Sequence, residues 1–208
     1  MTEAEAAVFI QVMQGHTKDP ARLKAQMERW RRELGTGARG WLGSTGGVAD
    51  DGTFVGVVRF DSPDAARRNS DRPEQTAWWR ETEQMFDGGV TFHDCAQTET
   101  HGRGGSDDAG FVQVIQGRVT DVERMRQLNR EMDDRIAEFR PDVIGSTTAL
   151  HGDGGFTETV YFTSEAAARE GEHREVPPEL RDVFEQEQNL MQDVTYLDLH
   201  EPWMMSPA

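Results

Sequence analysis

The stretch Phe9-Ile10-Gln11-Val12-Met13-Gln14-Gly15 returns as Phe111-Val112-Gln113-Val114-Ile115-Gln116-Gly117, and this recurrence decides the reading of the whole chain. The two copies lie 102 residues apart, and the same offset pairs Gly43-Ser44-Thr45 with Gly145-Ser146-Thr147 and Phe60 with Phe162. It also pairs Ala66-Arg67 with Ala168-Arg169. Further on, Val90-Thr91-Phe92 meets Val194-Thr195-Tyr196 at an offset of 104, so the second copy carries a small insertion. A register held over this length identifies an internal duplication. The halves are 1–95 and 111–208, joined by 96–110, which is rich in Thr, Gly and Asp and lacks apolar periodicity, as a linker does.

Each copy resolves into the same elements. Val8 to Gln14 and Phe111 to Gln116 are apolar almost throughout, as suits a strand covered on both faces. Leu23, Met27, Trp30 and Leu34 then recur at helical spacing, as do Met125, Leu128, Met132, Ile136 and Phe139. Asp19-Pro20 starts the first helix, and Thr120 with Glu123 reads as a capping box for the second. Second and third strands follow, Trp41 to Val48 with Thr53 to Phe60, and Val143 to His151 with Phe156 to Phe162. Asp51-Gly52 marks the first hairpin, and Gly152-Asp153-Gly154-Gly155 reads as the second rather than as a phosphate loop, because no helix follows it. The regions Ser62 to Phe86 and Ser164 to Met191 are helical, broken at Pro73 and at Pro177-Pro178. Val90 to Cys95 and Val194 to Leu199 close each unit as strands.

The order βαββαβ is that of the ferredoxin-like unit, so the expected class is α+β, with two tandem ferredoxin-like units. Phe54, Val58 and Phe60 fall on one face of the third strand and Val55 and Val57 on the other, so both sheet faces need cover. The expected solution packs the two sheets against each other as an intramolecular pseudo-dimeric αβ-barrel, a monomer for which further oligomerisation is possible but not required.

The 208 residues carry a formal charge of −16, with Lys18 and Lys24 the only lysines. Such a field repels phosphate backbones and anionic headgroups, so neither nucleic acid nor a membrane is an expected partner. One cysteine, Cys95, excludes an internal disulfide. The acidic start, Met1 to Ala7, does not read as a secretory signal, no run approaches a membrane span, and the expected location is the cytoplasm.

The stretch Phe60-Asp61-Ser62-Pro63-Asp64-Ala65-Ala66-Arg67, followed by Asn69, Pro73 and Trp78, resembles the dimeric αβ-barrel superfamily, and within it the antibiotic biosynthesis monooxygenase-like domains, here in tandem. The resemblance implies a small-molecule-binding protein, with cofactor-independent monooxygenation of an aromatic or polyketide-like compound as the implied chemistry. A non-enzymatic ligand-binding or structural role is the alternative. Haem degraders of the superfamily place a ligating His near the position that holds Trp78 here and, counted from Pro177, Asp182; neither side chain offers an imidazole, so no haem and no other cofactor is expected.

Candidate ligand-binding residues follow from polarity in apolar settings. Gln11 and Gln113 project amides from apolar strands and must be satisfied by a ligand or by the protein. Trp78 can wall a pocket for a flat ring. Counting back from the prolines sets Asn69 against His173, and His93 alternates with Phe92 in the last strand of the first half. The His residues show no metal-ligand spacing, and no nucleophile stands at a strand-to-helix elbow. With Trp78 and Asn69 in one half and Asp182 and His173 in the other, a small aromatic or apolar ligand is expected in the first half, which offers an indole and no nearby carboxylate.

Overall fold

A computed structural model describes residues 8–207, with the side chains of Asp133 and Asp134 excepted. The acidic start read at Met1 to Ala7 lies outside the described residues. The chain divides into two compact units, one of Met1–Glu99 together with Glu201–Ala208, the other of Thr100–His200.

The first unit contains β1 (Phe9–His16), α1 (Pro20–Glu33), β2 (Trp41–Val48), β3 (Thr53–Phe60), α2 (Pro63–Ser70), α3 (Pro73–Thr82) and β4 (Thr91–Cys95). The second repeats the order after β5 (Gln97–Gly102), with β6 (Phe111–Val119), α4 (Val122–Phe139), β7 (Val143–Leu150), β8 (Gly155–Phe162), α5 (Glu165–Glu172), α6 (Pro178–Leu190) and β9 (Met191–Leu199). A short β10 (Trp203–Met205) follows. The sheets run β10-β2-β3-β1-β4 and β5-β7-β8-β6-β9, antiparallel throughout. Four strands of each, in the order 2-3-1-4, make the ferredoxin-like sheet, and the two tandem units of the α+β expectation are present.

The fifth strand of each sheet comes from a segment whose pattern gave no strand. Within the stretch read as a linker, Gln97–Gly102 pairs at the β7 edge, and the chain's last strand pairs at the β2 edge of the first unit. Backbone N–H and C=O groups on a sheet edge are satisfied by any extended neighbour, so a polar sequence such as Gln-Thr-Glu-Thr-His-Gly can fill the place without apolar alternation.

Local chemistry sets the remaining boundaries. Asp19 caps α1 by accepting from the Arg22 N–H at 3.0 Å, with Pro20 in the first turn. The expected capping box at Thr120 is displaced by one residue: Asp121 caps α4, accepting from the Arg124 N–H, while Thr120 Oγ1 donates to the Leu190 carbonyl. At the first hairpin Gly52 takes a φ of +88°, the left-handed conformation that its neighbours could adopt only under strain.

Strand register fixes which side chains face the helices. Phe9, Gln11 and Met13 lie opposite Phe60, Val58 and Gly56, while on the other side Gln11 and Met13 lie opposite Asp94 and Phe92. Leu23, Met27 and Trp30 from α1 and Trp78 from α3 pack with Phe9, Phe54 and Phe60 in one buried cluster. The reverse face, with Ile10, Val12, Val55 and Val57, is buried as well. Phe111, Phe162 and Ala168 form a corresponding cluster in the second unit. Among the described residues no helix is long and apolar enough to cross a membrane.

Candidate functional site

Two glycines open space between sheet and helices in the first unit. Gly46 and Gly56 face each other in register across β2 and β3, and Met13 lies beside Gly56 on β1. A β-carbon on Gly56 would stand 2.9 Å from Phe54 Cζ and 3.1 Å from Met13 Cε, so a side chain there would occupy the space these residues border. Above this floor is a cavity of about 430 Å³. Gln11, Ser44 and Phe54 line it from the sheet, Met27 and Trp30 from α1, and Asn69, Trp78 and Trp79 from α2 and α3. Phe92 and Asp94 reach it from β4, and Trp203 and Met205 from β10.

The walls are aromatic in a nearly continuous path. Trp30 meets Trp78 with ring centroids 6.5 Å apart, Trp78 meets Trp79 at 6.1 Å, and Trp79 meets Phe92 at 5.2 Å. Phe54 and Trp203 stand 5.9 Å apart. Several indole N–H groups are already committed: Trp30 Nε1 donates to Gln75 Oε1 at 2.6 Å, Trp78 Nε1 to the Gln26 carbonyl at 3.2 Å, and Trp41 Nε1 to Ser44 Oγ at 2.9 Å. A ligand therefore meets ring faces and edges more than indole donors.

Polar side chains interrupt the aromatic lining, among them Gln11, Asn69, Gln75 and Asp94. Gln11 Nε2 donates to Asp94 Oδ1 at 2.8 Å. The buried Asn69 accepts from Arg72 through Oδ1 at 3.0 Å, and Arg72 also donates to the Leu34 carbonyl and pairs with Glu74. Among the described residues no group of three or more His, Cys, Asp or Glu is placed to hold a metal ion.

The second unit keeps the amide and the carboxylate and places side chains where the first has glycines. Gln113 Nε2 donates to Asp198 Oδ1 at 2.9 Å, in the same register as Gln11 and Asp94. The floor positions of Gly46 and Gly56 are Thr148 and Glu158, again facing each other in register. Arg169 binds Asp198 from α5, pairs with Glu172 at 3.0 Å and Glu165 at 3.3 Å, and lies 5.1 Å above the ring of Phe111. Arg67, its counterpart in the first unit, pairs instead with Asp64 on the exposed side of α2. Glu187, on α6, is half-buried; burial first, and the nearby Glu158 charge second, push its carboxyl up to about 7.

The structure revises two correspondences between the halves. Ser62 and Ser164 cap α2 and α5, which sets Asn69 against Gly171 and Asp71 against His173. Pro73 and Pro178, not Pro177, stand in the first turns of α3 and α6, so Val183 rather than Asp182 answers Trp78. Counting from a Pro-Pro pair selected the wrong proline because only the second lies inside the helix. A β-carbon on Gly171 would collide with Arg140, whose guanidinium pairs with the buried Asp142 at 2.7 Å, so the place of the Asn69 side chain is taken by a cation.

Of the residues singled out in the sequence, Gln11, Asn69 and Trp78 converge on the cavity. Gln113 lies in the second unit, bound to Asp198. His93 is in register with Val12, on the sheet face turned away from the helices, and therefore does not line the cavity. His173 is exposed at the end of α5, with Nδ1 2.6 Å from the Arg169 carbonyl oxygen. Asp182 is exposed on α6. The expectation of a first half without a carboxylate is overturned by Asp94. Its signal was present: extending the Val90/Val194 match by four residues gives Asp94 and Asp198, each opposite the glutamine of the first strand.

No family model matches the chain, and no curated protein is similar to it in sequence. Its fold is similar to that of solved structures. A candidate monooxygenase of Fusobacterium nucleatum superposes with a TM-score of 0.75 at 10% identity, covering 98% of this chain and 96% of that one. A candidate monooxygenase of Lactobacillus acidophilus gives 0.74 at 11% identity, covering 96% of each chain. An anthrone oxidase-like protein gives 0.65 at 10% identity, covering 98% and 93%. These likenesses establish the tandem ferredoxin-like fold over nearly the full length.

Proposed function

We propose that the first unit binds a small aromatic compound and acts on it as a cofactor-independent monooxygenase. The observation that carries this reading is the cavity of about 430 Å³ walled by Trp30, Trp78, Trp79 and Trp203, a volume in the range of small-ligand sites. The fold shared with the two candidate monooxygenases supports it.

The residues present suit such chemistry by what they exclude and orient. Indole walls keep water from the substrate and hold a flat ring by stacking. Gln11, fixed through Nε2 by Asp94, keeps its carbonyl oxygen to orient a donor on the ligand. For a methylene flanked by aromatic rings, one dioxygen converts CH₂ to C=O; one oxygen atom stays in the product and the other leaves as water with the two hydrogens. The electrons come from the substrate.

The test is dioxygen uptake with an anthrone as substrate, in the presence of a metal chelator. The parent protein is expected to accelerate uptake, and the Gly46→Thr, Gly56→Glu double variant, which gives the first unit the floor of the second, is expected to lose the acceleration. Equal rates for parent and variant would remove the cavity from the reaction.

A further inference from the structure

We infer that the first-unit cavity selects aromatic ligands carrying a positive charge, with Asp94 as the residue that selects them. This deepens the reading of the cavity as a ligand site and rests on it.

The inference comes from the difference between two identical dyads. In each unit a glutamine on the first strand donates to an aspartate on the strand beside it, at 2.8 Å for Gln11 and Asp94 and 2.9 Å for Gln113 and Asp198. In the second unit the aspartate has a cationic partner as well, because Arg169 reaches Asp198 while lying 5.1 Å over the Phe111 ring. Carboxylate on one side and aromatic face on the other is the environment that stabilises an organic cation. In the first unit the equivalent arginine, Arg67, is engaged by Asp64 at 2.6 Å, and among the described residues no Arg, Lys or His pairs with Asp94. The cation that completes the arrangement in one half is missing from the other.

The cavity supplies the remainder. Asp94 borders it at its exposed edge beside the exposed Phe92, and the aromatic path continues inward through Trp79, Trp78 and Trp30. Arg72, the cation near Asn69, is paired with Glu74 and does not line the cavity. A neutral ligand gains nothing from the Asp94 charge and displaces part of its water, so it binds more weakly than a cation of the same shape. An anion would add repulsion, reinforced by a chain of net charge −16. A ligand bearing an ammonium or similar group repeats what Arg169 does in the second unit.

Three naphthalene probes of similar shape separate the possibilities: 1-naphthylmethylammonium, 1-naphthylmethanol and 1-naphthoate, each titrated into the full-length protein by calorimetry at neutral pH. The ammonium probe is expected to bind about tenfold or more tighter than the alcohol, a difference of about 1.4 kcal/mol, with the carboxylate weakest. Asp94→Asn should bring the ammonium probe to the level of the alcohol, while Asp198→Asn, once circular dichroism shows it to be folded, should alter none of the three. An alcohol or carboxylate that binds as tightly as the ammonium probe, or a preference that survives Asp94→Asn, overturns charge selection and leaves the cavity reading standing. If no probe binds, both fall.

Discussion

The two units share a fold, a strand register and a Gln–Asp dyad, yet they differ in the side chains that surround the dyad. Three sites account for the contrast. Gly46 and Gly56 face Trp78 and Trp79 in the first unit, whereas Thr148 and Glu158 occupy those floor positions in the second. Thr82, buried on α3 and hydrogen-bonded to Gln26 and Trp78, corresponds to Glu187 on α6 when the helices are aligned at Pro73 and Pro178. Arg169 closes on its dyad and Arg67 does not. A duplicated fold can thus keep its backbone and its dyad while a few side chains change what surrounds them.

The largest expected effect tests the helices. Trp78→Ala removes a buried indole from the first-unit core and is expected to cost about 3 to 5 kcal/mol. Val183→Ala, at the matching place on α6, is expected to cost under about 1.5 kcal/mol. Denaturant unfolding of both variants compares them, and equal losses would mean that Trp78 and Val183 do not hold corresponding places in the two units.

A smaller effect concerns the carboxyl that replaces Thr82. Glu187 is raised from 4.5 to about 7, so the folded protein holds its proton more tightly than the unfolded chain does. The resulting stability is full below about 4.5 and is lost as pH climbs through about 7, a change on the order of 3 kcal/mol. Stability should therefore fall between pH 5 and 8 in the parent, and this component of the slope should vanish in Glu187→Gln. Denaturant melts across that range measure it; a slope unchanged by the substitution would place Glu187 in water.

The smallest effect compares the dyads. Gln11→Ala should weaken binding of an aromatic ligand by about 1 kcal/mol, since a ligand polar group loses its partner. Gln113→Ala should leave binding unchanged, because its amide serves Asp198 in the second unit. Titration of both variants with one probe decides, and a larger loss from Gln113→Ala would move the site to the second unit.

Much of this architecture was legible before any coordinates. The 102-residue repeat, the strand alternation and the helical spacing of Leu23, Met27 and Trp30 report burial along a single element, and each element agrees with its place in the fold. Three of the six candidate residues, Gln11, Asn69 and Trp78, lie on one cavity for the same reason: polar or large groups on a core-facing stripe face a common interior. His93 lies off this cavity because strand side chains alternate and it sits one residue from Phe92 and Asp94, which line it.

What the sequence determined by itself is the duplication, the two ferredoxin-like units and the faces each element buries, because these follow from periodicities of two and 3.6 residues. Tertiary structure decided the rest. The edge strands β5 and β10 pair through backbone groups common to every sequence, so no side-chain pattern marked them. The cavity exists because Gly46, Gly56, Trp78 and Trp203, from four separate elements, leave a gap where they meet, and a gap is a property of their arrangement rather than of any one of them. Whether an arginine reaches its aspartate depends on the side chains that compete for it, and that competition is settled only in three dimensions.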